Sequence, residues 1–441
     1  MTYQRASPAL TFFQHSSSLS CWRMSIGGST VLPRHLPQVV AVALAVSFAA
    51  LPANATEKKY DPGVTDNEIK IGNIAPYSGP ASAYGIIGRT AAAFFRKVND
   101  EGGINGRKIT FISYDDAFSP PKAVEQARKL VESDEVLMIY QSVGTASNAA
   151  IQKFLNARKV PQLFIASNAT RWGDPGHFPW TMGWQPNFQS EGRAYAKYIL
   201  QNHPNAKIGI LWQNDDGGRD QVKGLRDGLG EKASMIVAES SFELSEPTID
   251  PHIARLRNSG ADIFVSWTTP KASAQAIRKL AELDWKPVVF LAGVSTSVAS
   301  VLRPAGLENA KGIISNAYLK DPGDSAWSND AATRDWNAFM DRYLPDGDKA
   351  DRVIVYSYAV AHTLLEVLKR CGDDLTRDNI MRQAANLKDL DVPMLLPGIK
   401  INTSAKDYFP VEQMQLIRFD GQRWQPLGEV IDGEVGSAGT N

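Results

Sequence analysis

The feature that most constrains the fold of this chain is a regular alternation of short β-branched runs with segments of helical spacing. The sequence IKIGNI at residues 69–74 predicts a strand, and after a loop rich in Pro, Gly and Ser, residues 86–98 have the apolar spacing of a helix. Further strands are predicted at 108–114, 136–140 and 162–165, and further helices at 121–132 and 147–158. Such β-α-β repeats form parallel sheets with right-handed crossovers.

The pattern begins again after a passage rich in Trp, Gly and Pro at residues 172–186. This second set has predicted helices at 191–202, 219–229, 249–258 and 272–283 and predicted strands at 207–212, 234–239, 262–267 and 288–291. Helices are then predicted at 330–343, 353–370 and 377–386, and a hairpin with an Asp-Gly turn at 414–426. We therefore expect two α/β units of similar size, with the later helices packed on one of them.

The N-terminal segment predicts export. A thirteen-residue apolar run at 39–51 follows Arg34 and precedes the small-x-small sequence ANA that ends at Ala55, a pattern typical of a secretory signal peptide. The run is shorter than the roughly 20 apolar residues that a membrane-spanning helix needs. Met24 stands at a more usual distance from the run and is interpreted as the true start. We expect residues 1–55 to be cleaved off and the rest to be exported and soluble.

Charge narrows the range of partners. The whole chain has 47 basic and 47 acidic residues, but residues 1–55 contain three arginines and no acid. The remaining 386 residues therefore carry 44 basic and 47 acidic side chains, a net charge of −3. Nucleic-acid-binding domains normally show a basic excess or a basic stripe, so no nucleic-acid partner is expected.

Three loops that follow predicted strands of the first unit are rich in Gly, Ser, Thr and Asn. They span residues 75–85, 141–147 and 166–170, at strand ends where parallel sheets bind ligands. Gly144 lets a ligand approach the backbone, and nearby hydroxyl, amide and helix N–H groups suit a carboxylate. The polar side chains are Ser142, Thr145, Ser147, Asn168 and Thr170. Each loop taken alone is also typical of helix caps and turns.

In the second unit, Trp212 and Trp267 each end a predicted strand. A tryptophan in a strand usually belongs to the core, but two at strand ends can form an apolar wall of a pocket. Asp215 and Asp216 follow the first of them. Because no further acids stand at calcium-loop spacing, a solvated loop is favoured over a cation site.

Enzyme signatures are mostly absent from the sequence. It has no dinucleotide-binding GxGxxG after a strand, no phosphate-binding GxxxxGK[ST], no GxSxG elbow and no HExxH. The histidines after residue 55, none at metal-ligand spacing, are His177, His203, His252 and His362. We therefore expect a protein that is not an enzyme and that has no cofactor or metal. A hydrolase using a Ser or Asp of these loops would lack a positioned histidine base.

Four segments resemble one known family when they are taken together. They are IKIGNIAPYSGP at 69–80, NDEGGINGRKI at 99–109, YDD at 114–116 and GTAS at 144–147. Their order and spacing strongly resemble the leucine/isoleucine/valine-type (type I) periplasmic solute-binding proteins of ABC importers. The resemblance runs from about residue 65 to about residue 430, with the EGGINGRKI string as its strongest single element.

The resemblance implies an α/β fold of two Rossmann-like lobes, each with a parallel sheet. A hinge of three chain crossings would join the lobes and let them close over a ligand. The N-terminal lobe would comprise residues 65–183 and 317–393, and the C-terminal lobe residues 184–316 and 394–430. Residues 431–441 would form a flexible tail.

The resemblance also implies a ligand site. In that family a Ser/Gly/Thr loop and an Ala-x-Thr segment hold a carboxylate, and these match residues 142–145 and 168–170 here. A tyrosine beside the side-chain pocket corresponds to Tyr84. With the aromatic strand ends and the loop at 292–298, the predicted ligand-binding residues are Tyr84, Ser142, Gly144, Thr145, Asn168, Ala169, Thr170, Trp212, Trp267 and Ser295.

Two departures from the family pattern bear on the ligand. Gly217 stands where amino-acid binders usually have a tyrosine, and the loop at 292–298 lacks the acid that would pair with a ligand ammonium group. A buried ammonium without a carboxylate partner is costly. The sequence therefore favours a small carboxylate without an α-amino group, an aromatic or branched acid, over an amino acid.

The partners follow from the same resemblance. It implies a monomer in the periplasm that delivers its carboxylate ligand to an ABC permease in the inner membrane. The alternative is a ligand sensor of the same fold that presents its ligand state to a signalling partner. Both roles require only different affinities of the open and closed states for the ligand.

Overall fold

The computed structural model describes residues 58–433. The predicted signal peptide at residues 1–55, its cleavage site and residues 434–441 of the predicted tail lie outside the described residues. Among residues 58–433, no helix combines the length and the apolar character needed to cross a bilayer.

Short strands and helices alternate along most of the described chain. The strands are β1 (Lys59–Tyr60), β2 (Glu68–Ala75), β3 (Lys108–Asp115), β4 (Met138–Tyr140), β5 (Gln162–Leu163), β6 (Ile208–Gln213), β7 (Ile236–Phe242), β8 (Ile263–Trp267), β9 (Val288–Leu291), β10 (Ile314–Ala317), β11 (Asp374–Leu375), β12 (Gln413–Phe419) and β13 (Trp424–Asp432). The α-helices are α1 (Ile86–Asp100), α2 (Pro120–Arg128), α3 (Thr145–Ala157), α4 (Phe188–Asn202), α5 (Asp216–Leu229), α6 (Asp250–Asn258), α7 (Pro270–Glu282), α8 (Arg303–Ala305), α9 (Ala331–Tyr343), α10 (Arg352–Cys371) and α11 (Arg377–Ala384).

The first sheet contains four parallel strands in the order β3-β2-β4-β5. The β-branched residues Ile69, Ile71 and Ile74 of β2 are buried, because helices cover both faces of this central strand. Helix α1 packs against α10, where Ser357 Oγ donates a hydrogen bond to Ile87 O at 3.0 Å. Helices from far along the chain therefore complete the core of the first sheet.

The second sheet contains seven strands in the order β13-β12-β10-β9-β8-β6-β7. The strands from β10 to β7 in this order are parallel, and the β12–β13 hairpin adds two antiparallel strands at one edge. The hairpin turns at Asp420 and Gly421, where Gly421 has a φ of 106° and Asp420 Oδ1 accepts the N–H groups of Gln422 and Arg423. The predicted Asp-Gly turn is therefore present.

The chain passes between the two sheets three times. The passages lie between β5 and β6, between β10 and α10, and between α11 and β12. This arrangement confirms the predicted α/β class with two parallel sheets. The residue limits of the two lobes stay a prediction.

The structure differs from the sequence prediction at several short elements. The strand predicted at 162–165 ends at Leu163, because Phe164 has a left-handed φ of 54°. Strand β10 was not predicted, since two of its four residues are polar, yet all four are buried. The two-residue pair of β1 and β11 was too short to detect by periodicity. Residues 431 and 432, predicted as tail, belong to β13.

Candidate functional site

A cleft lies where the carboxyl ends of the two parallel sheets meet. Its wall includes Gly144 after β4, Ala166 after β5, and the strand-end residues Gln213, Trp267 and Ala317 of β6, β8 and β10. The cleft encloses ≈ 1100 Å³ of atom-free space, its open mouth included. Open α/β sheets bind their ligands at this position, so the cleft is the candidate site.

The start of α3 forms part of the wall on the side of the first sheet. Gly144 has a φ of 94°, which glycine adopts readily, and a Cβ atom there would lie 2.5 Å from the Phe118 ring. No side chain caps the helix that starts at Thr145, so its first N–H groups are available to an anion. Thr145 Oγ1 lies 2.8 Å from Ser167 Oγ. This edge offers both hydroxyl and backbone donors.

Half of the predicted ligand-binding residues line the cleft. They are Tyr84, Gly144, Thr145, Asn168 and Trp267. Tyr84 OH donates a hydrogen bond across the cleft to the carbonyl of Val294 at 3.2 Å. Asn168 Nδ2 donates to the carbonyl of Pro186 at 2.9 Å, which fixes the side chain at the wall. The structure thus brings residues from four separate loops to one surface.

The two predicted serines lie behind the wall. Ser142 is buried, and its Oγ donates to Asn148 Oδ1. Ser295 is also buried, and its Oγ donates to the carbonyl of Thr268 at 2.6 Å. In this structure both hydroxyls hold the loops that shape the cleft.

The remaining predicted residues, Ala169, Thr170 and Trp212, also lie outside the lining. The backbone N–H of Ala169 donates to Ser167 Oγ at 3.3 Å. The backbone N–H of Thr170 donates to Asp220 Oδ2 at 2.6 Å. The segment predicted to bind a ligand carboxylate therefore binds a carboxylate of the protein itself.

A second contact joins the same two elements near the cleft. Arg171 follows Thr170, and its Nη1 lies 3.1 Å from Asp216 Oδ2 in the first turn of α5. Asp220 lies one turn further along α5. Two neighbouring residues after β5 are thus tied to two acids of a helix that packs on the second sheet. These contacts hold the two walls together on this side.

Many cleft residues were missed by the sequence analysis, among them three that lie late in the chain. Tyr318 follows β10, while Arg352 and Tyr356 lie one turn apart on α10. None of the three follows a strand that the sequence predicted, so a search of predicted strand ends could not find them. The sequence did contain a sign of Arg352 and Tyr356, because an arginine and a tyrosine spaced i, i+4 stand in the apolar first half of α10.

The cleft contains an acid that the sequence analysis placed in a solvated loop. Asp215 lines the cleft and caps α5, accepting a hydrogen bond from the N–H of Gly218 at 2.9 Å. Gln213 Nε2 also donates to this carboxylate, at 2.7 Å. Burial raises the pKa of Asp215, and these two hydrogen bonds oppose that rise. The cleft therefore contains an acid, although the loop at 292–298 has none.

A second carboxylate lies behind the floor of the cleft. Glu191 on α4 is buried, and burial raises its pKa. It accepts hydrogen bonds from the N–H of Gly293 at 2.7 Å, from Asn316 Nδ2 at 2.9 Å and from Gln221 Nε2 at 3.2 Å. All three donors belong to residues that line the cleft. Glu191 therefore fixes the wall on the side of the second sheet.

Several polar atoms of the cleft wall are buried without a hydrogen-bond partner in the protein. They are Asn168 Oδ1, Gln213 Oε1, Trp267 Nε1 and Thr269 Oγ1. Buried polar groups are nearly always paired in folded proteins. The set includes an N–H donor, a hydroxyl and two amide acceptors, so it suits a ligand with several polar atoms.

Two further features of the protein bear on metal binding and catalysis. Within residues 58–433, no group of three or more His, Cys, Asp or Glu side chains could hold a metal ion. Ser240 Oγ lies 2.8 Å from His252 Nδ1, and His252 Nε2 lies 2.8 Å from Glu246 Oε2. This series resembles a catalytic triad, but none of the three residues lines the cleft. It ties β7 to α6.

The sequence model that describes the periplasmic binding protein family matches residues 68–423 of this chain. The chain belongs to the periplasmic binding protein family. Proteins of this family are solute-binding proteins that work with ABC permeases, which confirms the resemblance inferred from the sequence.

Relatives with known names agree with this membership. The Leu/Ile/Val-binding protein homolog 1 of Brucella abortus (strain 2308) is 23% identical to this periplasmic binding protein over 314 residues, covering 70% of this chain and 80% of the relative. The leucine-specific-binding protein of Salmonella typhimurium is 23% identical over 267 residues, covering 60% and 72%.

Solved structures share the fold. A branched-chain amino acid ABC transporter protein from Thermus thermophilus with bound valine has a TM-score of 0.77 and 14% identity, covering 85% of this chain and 100% of that one. A fatty acid ABC transporter substrate-binding protein from Thermomonospora curvata has a TM-score of 0.71 and 17% identity, covering 86% and 96%. The type I fold predicted for this periplasmic binding protein is confirmed.

Proposed function

We propose that this protein binds a small carboxylate in the cleft between its sheets and, as a periplasmic monomer, delivers it to an ABC permease. The unpartnered buried donors of the cleft wall, Trp267 Nε1 and Thr269 Oγ1, carry the proposal, because a carboxylate only accepts hydrogen bonds and would satisfy them. A ligand that binds the closed state better than the open state shifts the population toward closure. A sensor of the same fold would bind its ligand in the same cleft. Loss of solute uptake after deletion of the gene would support transport over sensing.

Asp215 bears on whether the ligand carries an amino group beside its carboxylate. An aromatic or branched acid without an amino group suits the loop at 292–298, which has no acid. An α-amino acid is the second candidate, because Asp215 lines the cleft. A Cβ atom at Gly217 would lie 3.1 Å from Thr145 Oγ1 and 3.3 Å from Asp215 Oδ1, so hydroxyl and carboxylate stand near one point. That point suits a group with adjacent negative and positive charges.

The test is calorimetry with the variant Thr145→Ala. Removing this hydroxyl from the carboxylate site is expected to weaken binding by about 1–3 kcal/mol, the range for hydrogen bonds to charged groups. A thermal-shift screen of amino acids, aromatic acids and branched acids selects the ligand first, since a ligand that binds only the folded state raises the melting temperature.

The matched control is Thr110→Ala, which removes a threonine hydroxyl bonded to Glu68 on the first sheet, outside the cleft lining. We expect its affinity to equal that of the wild-type protein. Equal affinities in all three proteins would contradict the assigned carboxylate site. Tight binding of leucine without binding of hydroxybenzoates would decide for the amino acid.

A further inference from the structure

A buried arginine lies in the cleft wall without a close acidic partner. Arg352 is the first residue of α10, and its side chain is 10% exposed. Its Nη2 donates to the carbonyl of Leu319 at 3.2 Å. Its ion pair with Asp321 is long, with 3.9 Å between Nη1 and Oδ2. Asp321 also accepts the N–H of Gly323 at 2.9 Å, so it belongs to its own turn.

Two other arginines of this protein, one buried and one half-buried, are held differently. Arg107 Nη2 lies 2.6 Å from Asp373 Oδ1 and 2.6 Å from Tyr60 OH. Arg377 donates to the carbonyls of Val136 and Leu137, both at 2.9 Å. A guanidinium has five N–H donors, and burying it without matching acceptors is costly. Arg107 also keeps its buried Nε without a partner, but Arg352 makes one hydrogen bond, to the carbonyl of Leu319, and lines the cleft, whereas Arg107 and Arg377 do not.

The neighbours of Arg352 add further donors at the same end of the cleft. Tyr356 follows one turn later on α10, and its hydroxyl lies beside the amide of Gln141 without a hydrogen bond of normal geometry. Tyr318 OH donates to Gln185 Oε1 at 2.7 Å. The lining of the cleft also includes the apolar side chains of Phe188, Val294 and Trp267.

We propose that Arg352 and Tyr356 form a second anion subsite, so that the ligand is a dicarboxylate with an apolar spacer. The planar guanidinium binds carboxylates through two parallel N–H donors, which a lysine or an amide cannot reproduce. One carboxylate of the ligand occupies the edge at Thr145, as in the proposed function on which this inference rests. The second reaches Arg352, and the spacer contacts the apolar wall.

The experiment is calorimetry with terephthalate and with linear dicarboxylates of four to nine carbons, each paired with the monocarboxylate of the same carbon skeleton. In the wild-type protein, at least one dicarboxylate is expected to bind ten or more times more tightly than its monocarboxylate. Arg352→Gln is expected to remove that preference while changing monocarboxylate affinity less than threefold. Tyr356→Phe is expected to reduce the preference by a smaller factor.

Two controls separate recognition from folding. Arg377→Gln removes a half-buried arginine that also donates to backbone carbonyls but does not line the cleft, and its dicarboxylate preference is expected to match the wild type. Circular dichroism melting shows whether Arg352→Gln is folded. If this variant is unfolded, the reduced dicarboxylate preference expected of Tyr356→Phe tests the second anion subsite in its place. Equal affinity of the wild-type protein for both acids of every pair overturns this inference alone. Binding of none of the acids overturns the proposed function as well.

Discussion

Because Gly144 has no Cβ atom, it can adopt the backbone conformation found there and leaves room at the edge of the cleft. Its φ of 94° brings the chain from β4 into α3, and the Phe118 ring fills the space where a Cβ atom would stand. The next residue, Thr145, is thereby placed with its hydroxyl and the first helix N–H groups at the wall. A single residue thus links the turn geometry to ligand binding.

The variant Gly144→Ala is expected to lower the free energy of unfolding by about 2–4 kcal/mol, because left-handed strain and a clash with a packed ring add together. At the control position Gly230 the φ is 55° and a Cβ atom would meet no atom within 4 Å, so Gly230→Ala should show only the strain, about 1–2 kcal/mol. Urea denaturation measures both. Equal losses in the two variants would show that contact with Phe118 has no energetic role.

Residue types in the sequence predicted one side of the cleft better than the other. Gly144, Thr145 and Asn168 follow strands whose β-branched runs are visible in the sequence, so their shared edge could be inferred. Arg352 comes to the cleft only because α10 packs against α1, more than 250 positions away. A contact between residues so far apart leaves no local pattern in the sequence. The identity of Asp215 also did not show that this residue lines the cleft.

Helix α10 is the element that joins the cleft to the core of the first sheet. Its N-terminal turn carries Arg352, and three turns later His362 lies among aromatic rings, 4.8 Å from Phe94 and 4.6 Å from Tyr358 between ring centroids. His362 Nε2 is buried without a partner. Burial, with smaller contributions from the charges of Lys97 and Lys369, lowers the pKa of His362 to about 3.

This histidine makes stability depend on pH. Between the folded pKa of about 3 and the usual value near 6.5, the unfolded chain binds a proton that the folded protein does not. The contribution of His362 is therefore complete above pH 6.5 and is lost as the pH falls. From pH 7 to pH 5 the loss should be about 2 kcal/mol.

His362→Phe keeps a ring in the aromatic cluster and removes the titrating group. We expect its unfolding free energy to fall by about 2 kcal/mol less than that of the wild type between pH 7 and pH 5, measured by urea denaturation at both values. The exposed His177→Phe serves as the control and should keep the wild-type dependence. An unchanged pH dependence in His362→Phe would show that the ring is solvated.

Among the elements, those with a continuous apolar face could be predicted and those made by distant pairing could not. Helix α10 was predicted at 353–370 and occupies Arg352–Cys371, because most of its residues are apolar and Gly372 ends it with a φ of 59°. Strand β10 gave no signal, since its polar side chains are satisfied by partners from other elements: Ser315 Oγ donates to Leu291 O, and Asn316 donates to Glu191.

At the scale of the whole molecule, contacts between the walls of the cleft bear on opening and closure. Thr170 and Arg171 contact Asp220 and Asp216 of α5, and Tyr84 contacts the carbonyl of Val294. All of these pairs join a segment next to the first sheet with a segment next to the second. We expect an opening motion around the three crossings to break them, so that they would form only in the closed state.

Asp220→Ala is therefore expected to favour the open state. Removing a charge-assisted hydrogen bond that forms only on closure should cost about 1.5 kcal/mol of closed-state stability and weaken ligand binding roughly tenfold. Calorimetry gives the affinity, and small-angle X-ray scattering should give a larger radius of gyration than in the wild type.

The matched control is Asp227→Ala on the same helix, where the acid pairs with Lys223 at an exposed surface. We expect it to leave both the affinity and the radius of gyration unchanged. Tighter binding by Asp220→Ala would instead indicate that Asp220 competes with the ligand for the N–H of Thr170.

The pairing of β1 with β11 bears on the order in which the chain can fold during synthesis. Lys59 and Tyr60 are among the first described residues, yet their strand partners are Asp374 and Leu375. Arg107 connects the same places by contacting both Tyr60 and Asp373. A chain that is synthesised from its N-terminus cannot form the β1–β11 pair until residue 375 has been made. We therefore expect this part of the fold to form only after most of the polypeptide has been synthesised.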